Sequence, residues 1–425
     1  MGVRFVNTNA ASSASIDREA PCDARTAREY LTATALTPSA LGVVGLELER
    51  HVVDLASPGS VVSWQRLQSA VEGISLPRQS RLTMEPGGQL ELSTAPADDV
   101  SAAVEWLGAD DDALRPALAA AGLGLHAAGT DPVRSPVRIH PGDRYAAMAE
   151  YFAAAGHAND AATMMCSSAS LQINVEAGPV HGWAERVAQI HRLMPALLAL
   201  SACSPLLRGG ERGVRSERAA MWQRLDPSRC APFIGQGDPA GAWAAFALSA
   251  PVMLLRDPET GARRPVRERV PLFSWLTGEP LLGARRPTIA DLDLHLTTLF
   301  PPVRLRGFLE LRLLDAVPAR WWPGLAALTV AVLDDPSAAS HAAEAADPVR
   351  RRTADAARIG IGDPAIGTAA RGVVAAALTA VAAPLRPAVE EWAELLEQGR
   401  TPADLVLDRA RRDGPLACLT AAELC

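Results

Sequence analysis

Four segments of the chain alternate apolar and polar residues with a period of two, the pattern of a β-strand that buries one face. These segments are LGVVGLELER at 41–50, RLTMEPGGQLELS at 81–93, SLQINVE at 170–176 and RLRGFLELRLLD at 304–315. The second contains a Pro-Gly-Gly turn, which predicts two short strand pieces in place of one. Each of the other three predicts a single strand.

Apolar residues recur at helical spacing in much of the remaining chain. The spacing predicts helices over 17–36, 97–121, 144–156 and 180–203, and helical structure from Trp321 to the C terminus with an interruption near 360–367. The acidic run 110–112 is predicted to be a solvated helix end, and the arginine-rich segment 208–232 is predicted to be irregular. Strands and helices are mixed without regular βαβ alternation, so the sequence predicts an α+β fold.

The polar faces of the four strand segments carry an unusual set of side chains. Successive residues of a strand point to opposite faces, so the polar side chains of each segment share one face. The shared faces hold Glu47 and Glu49; Gln89, Glu91 and Ser93, with Glu85 before the turn; Gln172, Asn174 and Glu176; and Arg304, Arg306, Phe308, Glu310 and Arg312. A solvent-exposed sheet face would explain any one strand. Four together concentrate Glu, Gln, Asn and Arg beyond what such a face usually carries.

This inventory predicts a site for divalent cations and phosphate. Carboxylates that converge in a cleft repel one another unless cations join them. Mg²⁺ prefers oxygen ligands and accompanies nucleotide phosphates, and the planar fork of arginine binds phosphate or carboxylate. The sequence therefore predicts phosphoryl transfer, a reaction that depends mainly on positioning and charge stabilisation.

All 41 basic residues of the chain are arginine. The absence of lysine excludes a Walker A phosphate loop, protein-kinase catalysis and Schiff-base chemistry, because each of these needs a lysine amine. A GC-rich genome explains the composition, but the consequence for the chemistry is the same. Any nucleotide must be bound by arginine and metal.

Composition and charge narrow the partners and the compartment. With 425 residues and 48% hydrophobic composition, the chain is long enough to bury a substantial core, and its net charge of -7 disfavours general binding to nucleic acid or an anionic membrane. We expect no signal peptide and no membrane-spanning segment, because the first residues are mostly small and polar and the apolar stretches are too short to span a bilayer. The six cysteines lack zinc-site or paired spacing, so we expect free thiols and a cytoplasmic protein.

The motifs together resemble a known family. TMEPGGQLELSTAP at 83–96 looks like the signature of the glutamate–cysteine ligases of the plant and proteobacterial type. MMCSSASLQINVEAG at 164–178 resembles their central motif, and HLTTLFPPVRLRGFLELRLLDAVP at 295–318 resembles their late motif. With 208–232 and PLFSWLTG at 271–278, the resemblance covers roughly residues 30–325. The MMCSSAS motif and the Ala/Arg-rich tail are most similar to the actinobacterial members that begin ergothioneine synthesis.

The resemblance implies a glutamine-synthetase-like catalytic fold, in which a curved antiparallel sheet forms a funnel with helices packed outside. We expect a flexible tail at 1–16, a catalytic domain at 17–325 and a C-terminal helical region at 326–425 packed on it. The implied reaction joins the γ-carboxylate of L-glutamate to L-cysteine through γ-glutamyl phosphate. It uses ATP and two or three Mg²⁺ ions, in a monomer or a homodimer.

The same resemblance implies roles for individual residues. The residues that match metal-binding carboxylates are Glu47, Glu49, Glu85, Glu91 and Glu310. The expected substrate-binding residues are Gln89, Gln172, Asn174 and Arg304; the expected nucleotide-binding residues are Arg306 and Arg312; and the expected catalytic residues are Arg304, Arg312 and Glu85. Among the histidines, His140 and His157 are expected to be structural, and His295 is the strongest candidate for a role because it opens the late motif. Cys166 stands where many plant-type members carry arginine, and we expect it to be a buried small residue without a role.

Two alternatives remain open from the sequence. Ligases of this superfamily differ in the amine they accept, and the residues alone do not identify a cysteine pocket. A catalytically silent relative that binds glutamate or nucleotide is the other alternative. The presence of all the carboxylates disfavours it, since a silent copy has no need of them.

Overall fold

The computed structural model describes residues 17–233 and 237–420, so the predicted tail at 1–16 lies outside the described residues. The strands are β1 Val44–Asp54, β2 Arg81–Met84, β3 Leu90–Ser93, β4 Leu123–His126, β5 Ser170–Val175, β6 Leu206–Leu207, β7 Gly210–Glu211, β8 Leu254–Arg256, β9 Arg263–Pro265, β10 Val303–Leu305 and β11 Leu309–Asp315. All the predicted strand segments are therefore confirmed as strands, with one change of detail in the last.

The helices before the last strand are α1 Ala24–Ala35, α2 Trp64–Val71, α3 Val100–Ala120, α4 Asp143–Ala154, α5 Ala158–Cys166, α6 Trp183–Ser201, α7 Glu217–Arg224, α8 Pro227–Cys230, α9 Pro239–Ser249, α10 Leu272–Thr277 and α11 Ile289–Leu296. Those after it are α12 Trp322–Asp334, α13 Pro336–Ala346, α14 Thr353–Arg358, α15 Pro364–Ala380, α16 Arg386–Glu397, α17 Pro402–Asp413 and α18 Leu416–Thr420. No helix in the described part of the chain is long and apolar enough to cross a membrane.

One antiparallel sheet brings the four strand segments together. Its strands are ordered β10-β11-β5-β1-β3-β2, and β4 pairs with the far half of β1. The long strand β1 lies in the middle, with β5 on one side and β3 on the other. The prediction of an α+β fold with an antiparallel sheet is confirmed.

The apolar face of the sheet packs against helices. Leu46, Leu48, Leu171 and Ile173 are fully buried in the main hydrophobic core, because their positions alternate with those of the polar side chains. Helices α3, α6 and α12 contact the sheet strands directly. The same core extends from Cys22 to Cys418 and includes the C-terminal helices. The division of the chain at residue 325 stays a prediction.

The segment 304–315 was wrong as a single strand, because it folds as a hairpin of β10 and β11. The turn uses Gly307, whose φ of 82° lies in the left-handed region that favours glycine. The hairpin places Arg304 directly opposite Glu310 on the same face of the sheet. The sequence predicted that Arg304 and Glu310 share a face because of alternation along one strand. In the structure they share a face because they pair across two strands.

The acidic run was also wrong as a solvated helix end. Asp110 and Asp111 are buried in the middle of α3, and only Asp112 is exposed. Asp110 accepts hydrogen bonds from the backbone N–H groups of Arg78 and Ser80 at 2.7 and 2.8 Å. These two loop N–H groups have no partner within a strand or helix, so the carboxylate satisfies them. The hydrogen bonds in turn compensate for the burial of the carboxylate.

The arginine-rich segment 208–232 is more regular than predicted, since it contains α7 and α8. Ser216 and Asp226 cap these helices by accepting hydrogen bonds from the N–H groups of Ala219 and Ser228. A serine or aspartate ahead of a short helical run is an N-terminal signal. Here it decides the local structure despite weak apolar periodicity.

Candidate active site

The polar face of the sheet is ordered by cross-strand pairs. Glu49 of β1 lies directly opposite Glu91 of β3, and Glu47 lies opposite Gln172 of β5. On the neighbouring strand, Glu310 lies opposite Asn174. Side chains directly opposite one another in an antiparallel sheet have Cβ atoms about 5 Å apart, so these residues form one continuous polar surface.

This surface is the floor of a cleft with a volume of about 990 Å³. The predicted site residues that line it are Glu47, Glu49, Glu85, Gln89, Glu91, Gln172, Arg304, Arg306, Glu310 and Arg312. Asn174 lies beneath the floor: it is fully buried and donates to the Glu47 carboxylate at 3.0 Å. The structure thus brings the whole predicted set into one place.

Glu310 is the anionic centre of an arginine cluster. Arg304 donates to both of its carboxylate oxygens, and Arg306 and Arg312 approach it at 3.3 and 3.4 Å. Glu310 is completely buried, yet the three guanidinium groups outweigh that burial and lower its pKa to about 2. The carboxylate stays charged at any pH at which the protein works.

The remaining glutamates of the floor behave in the opposite way. Burial, and next the negative charges of Glu91 and Glu310, raise the pKa of Glu47 to about 7. Burial together with the charge of Glu91 raises the pKa of Glu85 to about 8. Glu49 also has a raised pKa, caused by burial. A site that raises the pKa of several neighbouring carboxyl groups favours a bound cation or proton.

The donor set fits magnesium. Among the described residues, no three histidine, cysteine or acidic side chains are gathered closely enough to hold a metal ion by themselves. Mg²⁺ does not require such a cage, because it is usually held by one or two carboxylates together with water and substrate phosphates. The directly opposed pair Glu49 and Glu91 offers carboxylate oxygens of this kind, and opposed like charges are unfavourable without a cation.

The signature turn between β2 and β3 is held against the start of β5. The Glu85 N–H donates to the Gln89 carbonyl at 2.8 Å, which closes the turn. The Gln89 side-chain amide donates to the Ser168 carbonyl at 2.8 Å, so this residue ties the turn to the chain before β5. Gly87 lies so close to Cys166 that a Cβ atom would come within 2.2 Å of its carbonyl oxygen.

We expect Gly87→Ala to lower the free energy of unfolding by roughly 2 kcal/mol, because the methyl group can fit only if the turn moves away from Cys166. The same movement displaces Glu85, so turnover should fall with stability. Urea denaturation measures the first effect. Gly59→Ala is the matched control, since the nearest atom to its added methyl group is a leucine methyl at 3.8 Å. Equal stability of the two variants would contradict the close packing.

Arg218 is a cleft residue that the sequence analysis did not single out. It lies in the first turn of α7 and is buried. Its guanidinium group donates to the Arg312 carbonyl at 2.8 Å. That carbonyl lies where the pairing of β11 with β5 shifts register, between Leu311 and Leu314. Bulges of this kind redirect side chains next to functional sites. Arg218 thereby fixes the backbone that carries Arg312.

The three candidate histidines and Cys166 lie in different surroundings. His295 is buried away from the cleft, and its Nε2 atom is 2.9 Å from the Ala247 carbonyl oxygen. His140 lines the cleft between Trp64 and Tyr145, and His157 is half-buried at the N-terminal cap of α5. Cys166 is partly exposed, contrary to the expectation of a buried residue.

Comparison with known proteins agrees with this architecture. The model of the family described as glutamate–cysteine ligase family 2 matches residues 43–422. The protein named glutamate–cysteine ligase EgtA from Mycobacterium tuberculosis is 44% identical over 418 residues, covering 96% of this chain and 97% of that protein. The protein of the same name from Mycolicibacterium smegmatis is 44% identical over 399 residues, covering 93% of this chain and 94% of its own.

More distant relatives share the fold or part of the sequence. The chloroplastic glutamate–cysteine ligase of Medicago truncatula is 28% identical over 286 residues, covering 64% of this chain and 54% of that protein. A crystal structure of the glutamate–cysteine ligase of Francisella tularensis in complex with AMP superposes with a TM-score of 0.50 at 12% identity. The superposition covers 92% of this chain and 91% of that one. This similarity concerns the fold.

Proposed function

This chain belongs to glutamate–cysteine ligase family 2, and we propose that it joins the γ-carboxylate of L-glutamate to the amine of L-cysteine with ATP as the energy source. The products are γ-glutamylcysteine, ADP and phosphate. The observation that carries the proposal is the arrangement of Glu310 and its arginines beside Glu47, Glu49 and Glu91 on one sheet face, with Glu85 in the adjoining turn. The relatives named EgtA support cysteine as the acceptor, and with the sequence resemblance they support a first step toward ergothioneine.

In the first step, an oxygen of the glutamate γ-carboxylate attacks the γ-phosphorus of ATP. The bond from that phosphorus to the bridging oxygen breaks, and ADP leaves. Two anions must meet, so the step requires positive charge at the transferring group. Arg312 and Arg306 supply it, because both guanidinium groups line the cleft at the edge of the Glu310 cluster. Bound Mg²⁺, held by Glu47, Glu49, Glu85, Glu91 and Glu310 as two or three ions, would further lower this repulsion.

In the second step, the amine nitrogen of the acceptor attacks the carbonyl carbon of γ-glutamyl phosphate. The bond from that carbon to the phosphate oxygen breaks, and phosphate leaves. The amine must lose a proton, and a carboxylate with a pKa near the working pH is an efficient acceptor. Glu85 lines the cleft, and its pKa is raised to about 8 when no ion is bound to it, so in that state it is suited to take the proton.

The proposal is tested by measuring ADP release from the purified protein with ATP and Mg²⁺. We expect release to require glutamate and an acceptor, with γ-glutamylcysteine as the product when the acceptor is cysteine. Hydroxylamine should replace cysteine and give γ-glutamyl hydroxamate. It is a small nucleophile that attacks the acyl phosphate and needs no pocket for a side chain. Absence of ADP release with every acceptor, hydroxylamine included, would refute the proposal.

A further inference from the structure

One side of the cleft is apolar and rich in sulfur, in contrast to its charged floor. It is formed by Met148 of α4, Met164 and Met165 of α5, Trp222 of α7, and Phe300 ahead of β10. All five side chains belong to one apolar cluster. We refer to these five residues as the methionine wall.

The methionine wall presents accessible apolar surface to the cleft. Within the wall, Met148 and Met165 are buried, whereas Met164, Trp222 and Phe300 are partly exposed. The Trp222 and Phe300 rings pack with their centroids 5.8 Å apart. The thioethers and the ring faces offer dispersion contacts. The one strong donor of the wall, the indole N–H of Trp222, is buried and has no hydrogen-bond partner.

The wall stands next to the signature turn. The Gln89 amide that donates to Ser168 also lies 3.5 Å from the Met165 carbonyl oxygen, and the Ser168 hydroxyl donates to the Met164 carbonyl at 2.7 Å. Tyr145 packs against the same cluster, and burial, followed by the charge of Glu85, raises the pKa of its hydroxyl to about 12. The apolar surface therefore adjoins the carboxylates at the β2–β3 side of the floor.

We infer that the methionine wall recognises the side chain of the acceptor amino acid and selects a thiol over a hydroxyl. The inference rests on the proposed ligase function. Glutamate and the phosphates of ATP are anionic and match the arginines of the floor. The side chain of cysteine is the small, weakly polar group among the three substrates, and the wall is a weakly polar surface beside the β2–β3 turn.

The selection follows from the cost of burying polar groups. A hydroxyl that leaves water for the wall loses hydrogen bonds that thioether and aromatic groups do not replace. A thiol is a weak donor and acceptor and loses little. An apolar pocket of this kind discriminates by on the order of 100-fold against a hydroxyl analogue. We expect L-serine to be rejected by about that factor. L-2-aminobutyrate, which carries a methyl group in place of the thiol, should be used within roughly tenfold of cysteine.

Met164 is the residue to change, because its side chain is partly exposed and a substitution need not disturb the core. Met164→Gln keeps the length of the side chain and adds an amide. Met164→Leu keeps its apolar character and approximate volume. Met84→Leu is the matched control, since Met84 lines the same cleft from β2 but does not belong to the wall's cluster.

The experiment measures kcat/KM for cysteine, 2-aminobutyrate and serine, and γ-glutamyl hydroxamate formation with hydroxylamine, for each variant. For Met164→Gln we expect kcat/KM for cysteine to fall at least about tenfold more than hydroxamate formation, mainly through KM for cysteine. The ratio of kcat/KM for cysteine to kcat/KM for serine should fall by a similar factor. Met164→Leu and Met84→Leu should both retain the ratio of the wild type.

The outcomes separate this inference from the ligase function itself. If Met164→Gln raises KM for ATP and leaves KM for cysteine unchanged, the wall binds the nucleotide base and the inference is wrong. If the cysteine-to-serine ratio is unchanged while hydroxamate still forms, the inference fails and the ligase function stands. If the wild type forms no hydroxamate from glutamate and ATP, the ligase function fails.

Discussion

Glu310→Gln is expected to reduce the rate of γ-glutamyl hydroxamate formation by roughly 1,000-fold or more. Its carboxylate is completely buried and is the common hydrogen-bond acceptor of Arg304, Arg306 and Arg312. The neutral amide cannot balance three guanidinium groups, so the arginines, which we propose to position phosphate and glutamate, should separate. Hydroxamate formation is the measurement of choice, because it reports the phosphoryl transfer without requiring that cysteine bind.

The same substitution should lower the free energy of unfolding by about 3 kcal/mol, since it leaves buried positive charges without their partner. Activity must therefore be normalised to the folded fraction, which urea denaturation provides. Glu211→Gln is the control: it removes a glutamate from an ion pair with Arg411 that is exposed on both sides. Exposed pairs contribute little, so this variant should match the wild type in both measurements. A Glu310→Gln protein with near-normal turnover would exclude Glu310 from the site.

Strand alternation was sufficient to predict the polar floor. A period of two places Glu47 and Glu49 on one face whatever the neighbouring strands are. The register then decides which side chains meet, and the opposed pair Glu49 and Glu91 follows from pairing that no single strand encodes. The sequence therefore identified the members of the site but not their contacts.

The features that the sequence did not reveal depend on contacts between distant segments. Asp110 is buried because its carboxylate caps the backbone of a loop about thirty residues earlier, and a run of acidic residues does not indicate that role. Arg218 lines the cleft and donates to the Arg312 carbonyl beside the register shift of β11, which is visible only once β11 is paired with β5. The bend at Gly307 is different, because a glycine within an alternating segment is a recognisable sign of a bend, and the prediction of a single strand over 304–315 overlooked it.

In the absence of metal, Glu47→Gln is expected to stabilise the protein at pH 8 by on the order of 2–3 kcal/mol while abolishing turnover. The pKa of Glu47 is raised to about 7 in the folded protein, so the folded state binds this proton more tightly than the unfolded chain does. The stability that this proton contributes is fully present below the unfolded pKa near 4.5 and is lost as pH rises through about 7. Glutamine resembles the protonated form at every pH.

The predicted signature is a pH-dependent difference between the two proteins. Urea denaturation of metal-free wild type and Glu47→Gln should give nearly equal stability at pH 5 and a gap that opens towards pH 8. Added Mg²⁺ should close the gap by stabilising the wild type alone, because the ion replaces the proton at the carboxylates and binds only the folded state. Glu310 contributes in the opposite sense: its lowered pKa adds stability that disappears only as pH falls towards about 2, outside this window. A gap that is constant between pH 5 and pH 8 would mean that Glu47 does not titrate in this range. The burial and mutual repulsion of the floor carboxylates, which favour a bound cation, would then be absent.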